Sequence, residues 1–283
     1  MRRSLISVSL AALVVLIWPA TALAATLPPL GTAGNYAVLA GSTVTNTGPS
    51  WITGQVGLFP GTSVTGFPPG TSGHRDVTNA AANNAKNDLT TAYLNAKGQT
   101  PCTTVSGNLG NRTLVAGIYC FASAGNLTGT LTLNGGGVYI FQFGSTLITA
   151  SSSRVVLTNG AQPCDVFWQV GSSATIGTAT TFVGNIMALA SITMTTGATL
   201  NGRALAQTGA VTLDTNRIIQ PSGCGYGVPA FVGGPGGTSL PATLGVPLEL
   251  RGEFPWLLVI GAGGAIGALA LGVSSARRRR RTT

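Results

Sequence analysis

In residues 175–215, TIGTATTFVGNIMALASITMTTGATLNGRALAQTGAVTLDT, threonines return at a fixed interval. Thr175 recurs as Thr193, Thr178 as Thr196 and Thr181 as Thr199, each 18 residues on. Gly184 and Gly202 keep the same step, while Thr212 follows Thr193 after 19. A threonine carries a hydroxyl that both donates and accepts hydrogen bonds, next to a methyl group. Held on a rigid surface at a constant repeat, such groups can fix water at low entropic cost, because the protein has already immobilised them. Charge would orient that water differently, and the stretch contains only Arg203 and Asp214, with Arg217 just beyond it.

Bond-breaking chemistry finds fewer candidates. A positioned acid, base or nucleophile is required, and the body of the chain offers Asp76, Asp88, Asp165 and Asp214 with no motif pairing any two. His74 is the one histidine; it precedes a predicted helix and reads as a surface or capping residue. Asp76 and Asp88 fall on that helix and read as solvated charges. LNGGGVY lacks the lysine and helix start that a phosphate loop needs. The expectation is no catalytic residue, no metal ligand set and no cofactor.

The four cysteines are Cys102, Cys120, Cys164 and Cys224. None stands in a C-x-x-C spacing, so zinc is disfavoured. An even count in an exported chain reads as a disulfide framework. Three pairings are open, and Cys102–Cys120 with Cys164–Cys224 is the favoured set. The first closes a short loop and would contribute roughly 3 kcal/mol through chain entropy.

The elements that must position the threonines are short strands. GVYIFQF, RVVLTN, DVFWQV and ASITM are rich in Val, Ile, Thr and Phe and are punctuated by Gly, Asn and Ser, the pattern of strands and turns. Self-similarity at 18 residues points to a β-solenoid, one coil per repeat, with coils stacked about 4.8 Å apart. Thr175, Thr193 and Thr212 then form one ladder, with a one-residue corner insertion before Thr212. Thr178 with Thr196 begins a second, and Thr181 with Thr199 a third. Ile176, Met194 and Leu213 follow the first ladder by one position and face inward. Upstream, Val138-Tyr139-Ile140 aligns with Val166-Phe167-Trp168 and Gly144-Ser145 with Gly171-Ser172, a step of 27 or 28 that needs the loop NGAQPCD. One segment differs. In residues 75–98, Val77, Ala81, Ala85, Leu89, Ala92, Tyr93 and Ala96 lie three and four apart, which predicts one long amphipathic helix with a shallow face.

The two ends carry targeting patterns. Residues 1–24 have a basic start at Arg2 and Arg3, an apolar stretch and an Ala22-Leu23-Ala24 cleavage site, as a removed signal peptide does. Residues 225–254 form a Gly/Pro-rich stalk. Residues 255–273 have no charge and are long enough for a transmembrane helix, and the arginine-rich tail 274–283 holds the C-terminus in the cytoplasm. Seven of the 15 Lys and Arg belong to these ends. The formal charge of +9 is therefore no argument for nucleic acid, and no basic stripe interleaved with aromatics occurs in the body. SLPATLG resembles a sortase sorting signal: Leu240, Pro241, Ala242 and Thr243 match, while Leu244 replaces its glycine. The expectation is an exported, monomeric protein anchored in the plasma membrane by its C-terminal helix, with sortase processing to the cell wall as the alternative.

Several motifs in order carry a resemblance. GNYAVLAGSTVTNTGPSWITGQVGLFPGTSVTGFPPG, the helix containing NDLTTAYLNA, TLVAGIYCF and TGATLNGRALAQTGAVTLDTNRI are similar to the DUF3494 family of ice-binding proteins over residues 27–224. The resemblance implies a mainly β fold: a right-handed irregular β-solenoid of triangular section, one long α-helix alongside, and N-terminal strands completing coils at one end. It implies adsorption to ice crystals, which inhibits recrystallisation. Some members present Thr-Ala/Gly-x-Thr/Asn on a flat face; Thr178-Ala179-Thr180-Thr181 and Thr196-Gly197-Ala198-Thr199 match it here. The candidate ice-binding residues are thus Thr175, Thr178, Thr181, Thr193, Thr196, Thr199 and Thr212. The other reading is a non-enzymatic surface adhesin or carbohydrate-binding solenoid, with Trp51, Trp168 or Tyr36 stacking on sugars.

Overall fold

The computed structural model describes residues 25–223. The signal segment, the stalk, the apolar span, the basic tail and Cys224 lie outside the described residues. Among the described residues no helix is long and apolar enough to cross a membrane.

The strands are parallel throughout and stack in three ladders. The first runs through Thr103–Thr104, Gly117–Phe121, Tyr139–Phe143, Val166–Val170, the ends of Thr181–Ala188 and Thr199–Ala206, then Tyr36–Ala40, Gln55–Leu58 and Arg75–Val77. The second joins Gly125–Leu127, Leu147–Thr149, Ala174–Ile176, Ile192–Met194, Val211–Asp214, Thr43–Thr47 and Ser63–Thr65. The third joins Arg112–Leu114, Thr130–Asn134, Arg154–Thr158, the starts of the same two long strands, Arg217–Ile219 and Trp51–Thr53. The 18-residue step is one coil: Thr181 pairs with Thr199, Gly184 with Gly202 and Ala188 with Ala206.

Coil order departs from chain order. Tyr36–Ala40, Thr43–Thr47 and Trp51–Thr53 pair with the last C-terminal strands, so N-terminal strands extend the stack beyond the C-terminal ones. The chain must then return to the opposite end to begin Thr103–Thr104. The helix α1 (Ala80–Gly98) makes that journey along the first ladder. It begins later than the spacing predicts. Val77 belongs to a strand and Ala81 is exposed; the buried stripe starts at Ala82. Asn79 explains the boundary, since its Oδ1 accepts the Ala82 N–H at 2.9 Å, an N-cap.

The first ladder is apolar on both sides, which is why its strands read as unbroken apolar runs. Val38, Phe141, Trp168 and Ile186 face the solenoid core, while Leu39, Ile140, Phe167, Met187 and Leu205 face α1. Inside, rings stack from coil to coil: Tyr119 on Phe141 at 5.4 Å, Phe141 on Trp168 at 4.2 Å, and Trp168 against Phe182 at 4.7 Å between centroids. The upstream step is 27 residues, with Tyr139 opposite Val166, so the strand alignment expected from the sequence is one residue off while the glycine alignment holds.

Polar groups fasten the helix to the coils. The Asp88 carboxylate accepts from the Thr32 amide and hydroxyl. Gln142 Nε2 donates to Ala96 O and Gln99 O at 2.8 and 2.9 Å, satisfying carbonyls that a helix end leaves unpaired. Asp76, expected as a solvated charge on the helix, is buried on a strand and accepts from the Tyr36 hydroxyl and Asn79 Nδ2. Burial alone would raise its carboxyl, but those two hydrogen bonds and the nearby His74 outweigh it and hold the group below the usual range. His74 itself is exposed. Cys102–Cys120 forms as expected and ties the helix exit to Gly117–Phe121. Cys164 is also disulfide-bonded.

Lys86 supplies a pH test. It is buried, and its ammonium donates to Ala206 O and Gln207 O. Burial pushes its pKa down to about 8, against about 10.4 in an unfolded chain. Between those values the unfolded chain binds more protons, so stability rises with pH there; below about 8 the burial penalty is fully present. Relative to Lys86→Met, the wild-type protein should gain up to ~3 kcal/mol of unfolding free energy from pH 8 to 10.5. Denaturant titrations across that range check this, and a difference that stays flat contradicts it.

Candidate functional site

Side chains alternate across a strand, so the second ladder sends every other residue outward. Its inward residues include Val44, Ala174, Ile176, Ile192, Met194, Val211 and Leu213, all buried in the core. The outward row runs Asn126, Ile148, Thr175, Thr193, Thr212, Thr45 and Thr65, each paired with the next. Five threonines therefore stand in register at about 4.8 Å steps. Among the described residues their hydroxyls make no hydrogen bond to the protein. One pleat back lie Thr146, Ser173, Ser191, Ala210, Thr43 and Ser63, about 7 Å from the first row along the strands. These serines also stiffen the corner: Ser173 Oγ accepts the Ser191 amide at 3.3 Å and Ser191 Oγ the Ala210 amide at 3.2 Å.

Two threonine ladders stand elsewhere. Thr178 and Thr196 are exposed at the corner between the second and third ladders. Each directly precedes a left-handed residue, Ala179 with φ 54° and Gly197 with φ 70°; Ser152, Thr215 and Gly48 repeat that conformation in the neighbouring coils. Backbone bonds link these corners, Ala179 N–H to Thr196 O and Gly197 N–H to Asp214 O. The corner hydroxyls are engaged: Thr178 Oγ1 lies 3.2 Å from Thr195 Oγ1, and Thr196 Oγ1 donates to Asp214. Thr181 and Thr199 open the long strands and belong to the third ladder. Their row continues through Arg154 on one side and Arg217 and Trp51 on the other. The seven threonines thus divide between two faces and the edge that separates them.

Charge is divided the same way. Arg203 is buried, its Nε donating to Gly34 O and its Nη1 to Asn185 Oδ1, both at 2.9 Å. Arg217 lies on the third face. Asp214 stays at the corner, accepting from Thr196 and Thr215. The seven-strand sheet consequently shows a hydroxyl-rich outer surface whose one charged residue is Asp214, at the corner end of Val211–Asp214 beside Thr47.

The family model described as ice-binding-like matches residues 38–219. The chain belongs to the ice-binding-like family. Within that family it is 52% identical over 202 residues to an ice-binding protein of Nostoc sp. (strain HG1), covering 69% of this chain and 75% of that one. It is 36% identical to the ice-binding protein of Flavobacterium frigoris (strain PS1), covering 68% and 76%. Among solved structures it is similar to an ice-binding protein from an Antarctic biological consortium, with a TM-score of 0.69 and 44% identity over 72% of this chain and 95% of that chain. The ice-binding protein of the Antarctic ascomycete Antarctomyces psychrotrophicus superposes with a TM-score of 0.67 at 41% identity, over 70% and 100%.

For this member of the family, the sequence reading omitted Thr45 and Thr65. Both come from the N-terminal strands that complete the stack. A signal was present: Thr43-Val44-Thr45 and Ser63-Val64-Thr65 repeat the pattern of Ser191-Ile192-Thr193. Trp168 and Tyr36, two of the aromatics considered for sugar stacking, are buried in the core and beneath α1. Among the described residues no three His, Cys, Asp or Glu side chains gather where a metal could bind.

Proposed function

We propose that this protein binds ice without catalysing a reaction, through the outer surface of the seven-strand sheet. One observation carries the proposal: Thr175, Thr193, Thr212, Thr45 and Thr65 stand in register with hydroxyls unclaimed by the protein. Waters bridged to such hydroxyls lose little further entropy, and the intervening methyl groups favour ordered water around them. The coils are locked by stacked rings and backbone ladders, so many weak contacts can add without an ordering cost on binding. The names of the relatives support the same partner. Thr178 and Thr196 border this plane at the corner. Thr181 and Thr199 face another direction and stand outside it.

Adsorption of this kind inhibits recrystallisation, or tethers a cell to ice when the protein is held at the cell surface by residues 255–273. The right hand of the solenoid is carried over from the family and agrees with the general rule for parallel crossovers. The direct test is ice recrystallisation inhibition by the full chain. Crystals should stay small at micromolar protein; coarsening at the rate of a buffer control, up to high micromolar concentration, would refute the function while leaving the fold untouched.

A further inference from the structure

The third ladder presents a surface of different chemistry. Trp51 is 58% exposed, with the guanidinium of Arg217 5.9 Å from its ring centroid. Arg154 stands three coils further along the same row, about 14 Å from Arg217 at the usual strand spacing. Neither arginine pairs with an acid among the described residues. Of the acidic groups among the described residues, Asp76 is buried against Tyr36, Asp88 sits on the helix and Asp165 lies in the short turn Pro163–Asp165; Asp214, at the adjoining corner three residues before Arg217, is held by the hydroxyls of Thr196 and Thr215. Thr53, Thr181 and Thr199 add hydroxyls around the arginines.

We propose that this face binds an acidic polysaccharide. A sugar ring stacks its C–H face on the Trp51 indole, an aromatic with one apolar body and a polar handle. A uronate carboxylate takes the two parallel N–H groups of Arg217 or Arg154, the bidentate geometry that guanidinium favours and lysine does not reproduce. The threonine hydroxyls meet the sugar hydroxyls between them. Nucleic acid fits less well. Duplex binding rests on neutralising about 6–10 closely spaced phosphates, and two guanidinium groups this far apart do not provide that. The surface is separate from the threonine sheet, so one domain could hold ice on one side and a charged polymer on the other.

Affinity electrophoresis of the full chain through gels containing polygalacturonate, neutral dextran or duplex DNA tests this. The protein should be retarded by polygalacturonate, more strongly at low salt, and hardly at all by dextran or DNA. Trp51→Ala and Arg217→Lys should each weaken retention several-fold, approaching tenfold for the loss of stacking, with thermal melting unchanged. Equal retardation by dextran or DNA overturns the proposal, as does undiminished retention of Trp51→Ala.

Discussion

Trp168→Ala is expected to lower the unfolding free energy by about 3–5 kcal/mol, the usual cost of truncating a large buried aromatic. Trp168 is fully buried, with Phe141 on one side and Phe182 on the other. Its indole N–H donates to Val183 O at 2.8 Å, so the substitution also leaves that carbonyl unpaired within the core. The damage does not stay in one coil, since Phe141 and Phe182 come from the coils on either side. Cavity and lost hydrogen bond together place this among the most destabilising single changes available. Denaturant unfolding measures it, and a loss below about 1 kcal/mol would mean that the ring stack is not what holds the coils in register.

The same stack shows what the sequence made legible. Trp168 reads as core because it lies in an apolar run, and a strand covered on both sides produces such a run. The coil length is legible because Thr175, Gly184 and their partners return at one interval. An interval identifies which residues stack but not which way each ladder faces. Thr175, Thr178 and Thr181 are three apart, yet the chain turns a corner between them, with Ala179 in the left-handed region. Hence one ladder lies on the hydroxyl sheet, one on the edge and one beside the arginines. The start of α1 is obscured differently. Val77 sits at helical spacing from Ala81, but Thr78 has φ 51° and Asn79 caps the helix, so local hydrogen bonding overrides the periodicity. Thr45 and Thr65 join the site from more than 100 residues away in sequence. No spacing rule connects them to Thr212; only the order in which coils stack does.

Thr193→Tyr should abolish ice adsorption with little change in stability. Thr193 is the second of the five threonines in register, flanked by Thr175 and Thr212. Tyrosine suits an exposed strand position, and surface substitutions of this kind usually stay within about 0.5 kcal/mol. The ring would stand above a plane of short side chains and hold a flat crystal surface away from all of them at once. Because adsorption depends on many weak contacts made together, one obstruction should reduce it by well over tenfold, far more than the loss of a single hydroxyl. Thr199→Tyr makes the same chemical change one coil-face away, in the row that contains Arg217 and Arg154.

The measurement that tests the account most directly is the fraction of fluorescently labelled protein taken into a slowly growing ice surface, compared among the wild-type chain, Thr193→Tyr and Thr199→Tyr. Wild type and Thr199→Tyr should both be concentrated in the ice, and Thr193→Tyr should remain in the liquid. Uptake of Thr193→Tyr at the wild-type level, or its exclusion together with Thr199→Tyr, would contradict the assignment of the seven-strand sheet as the ice-binding face.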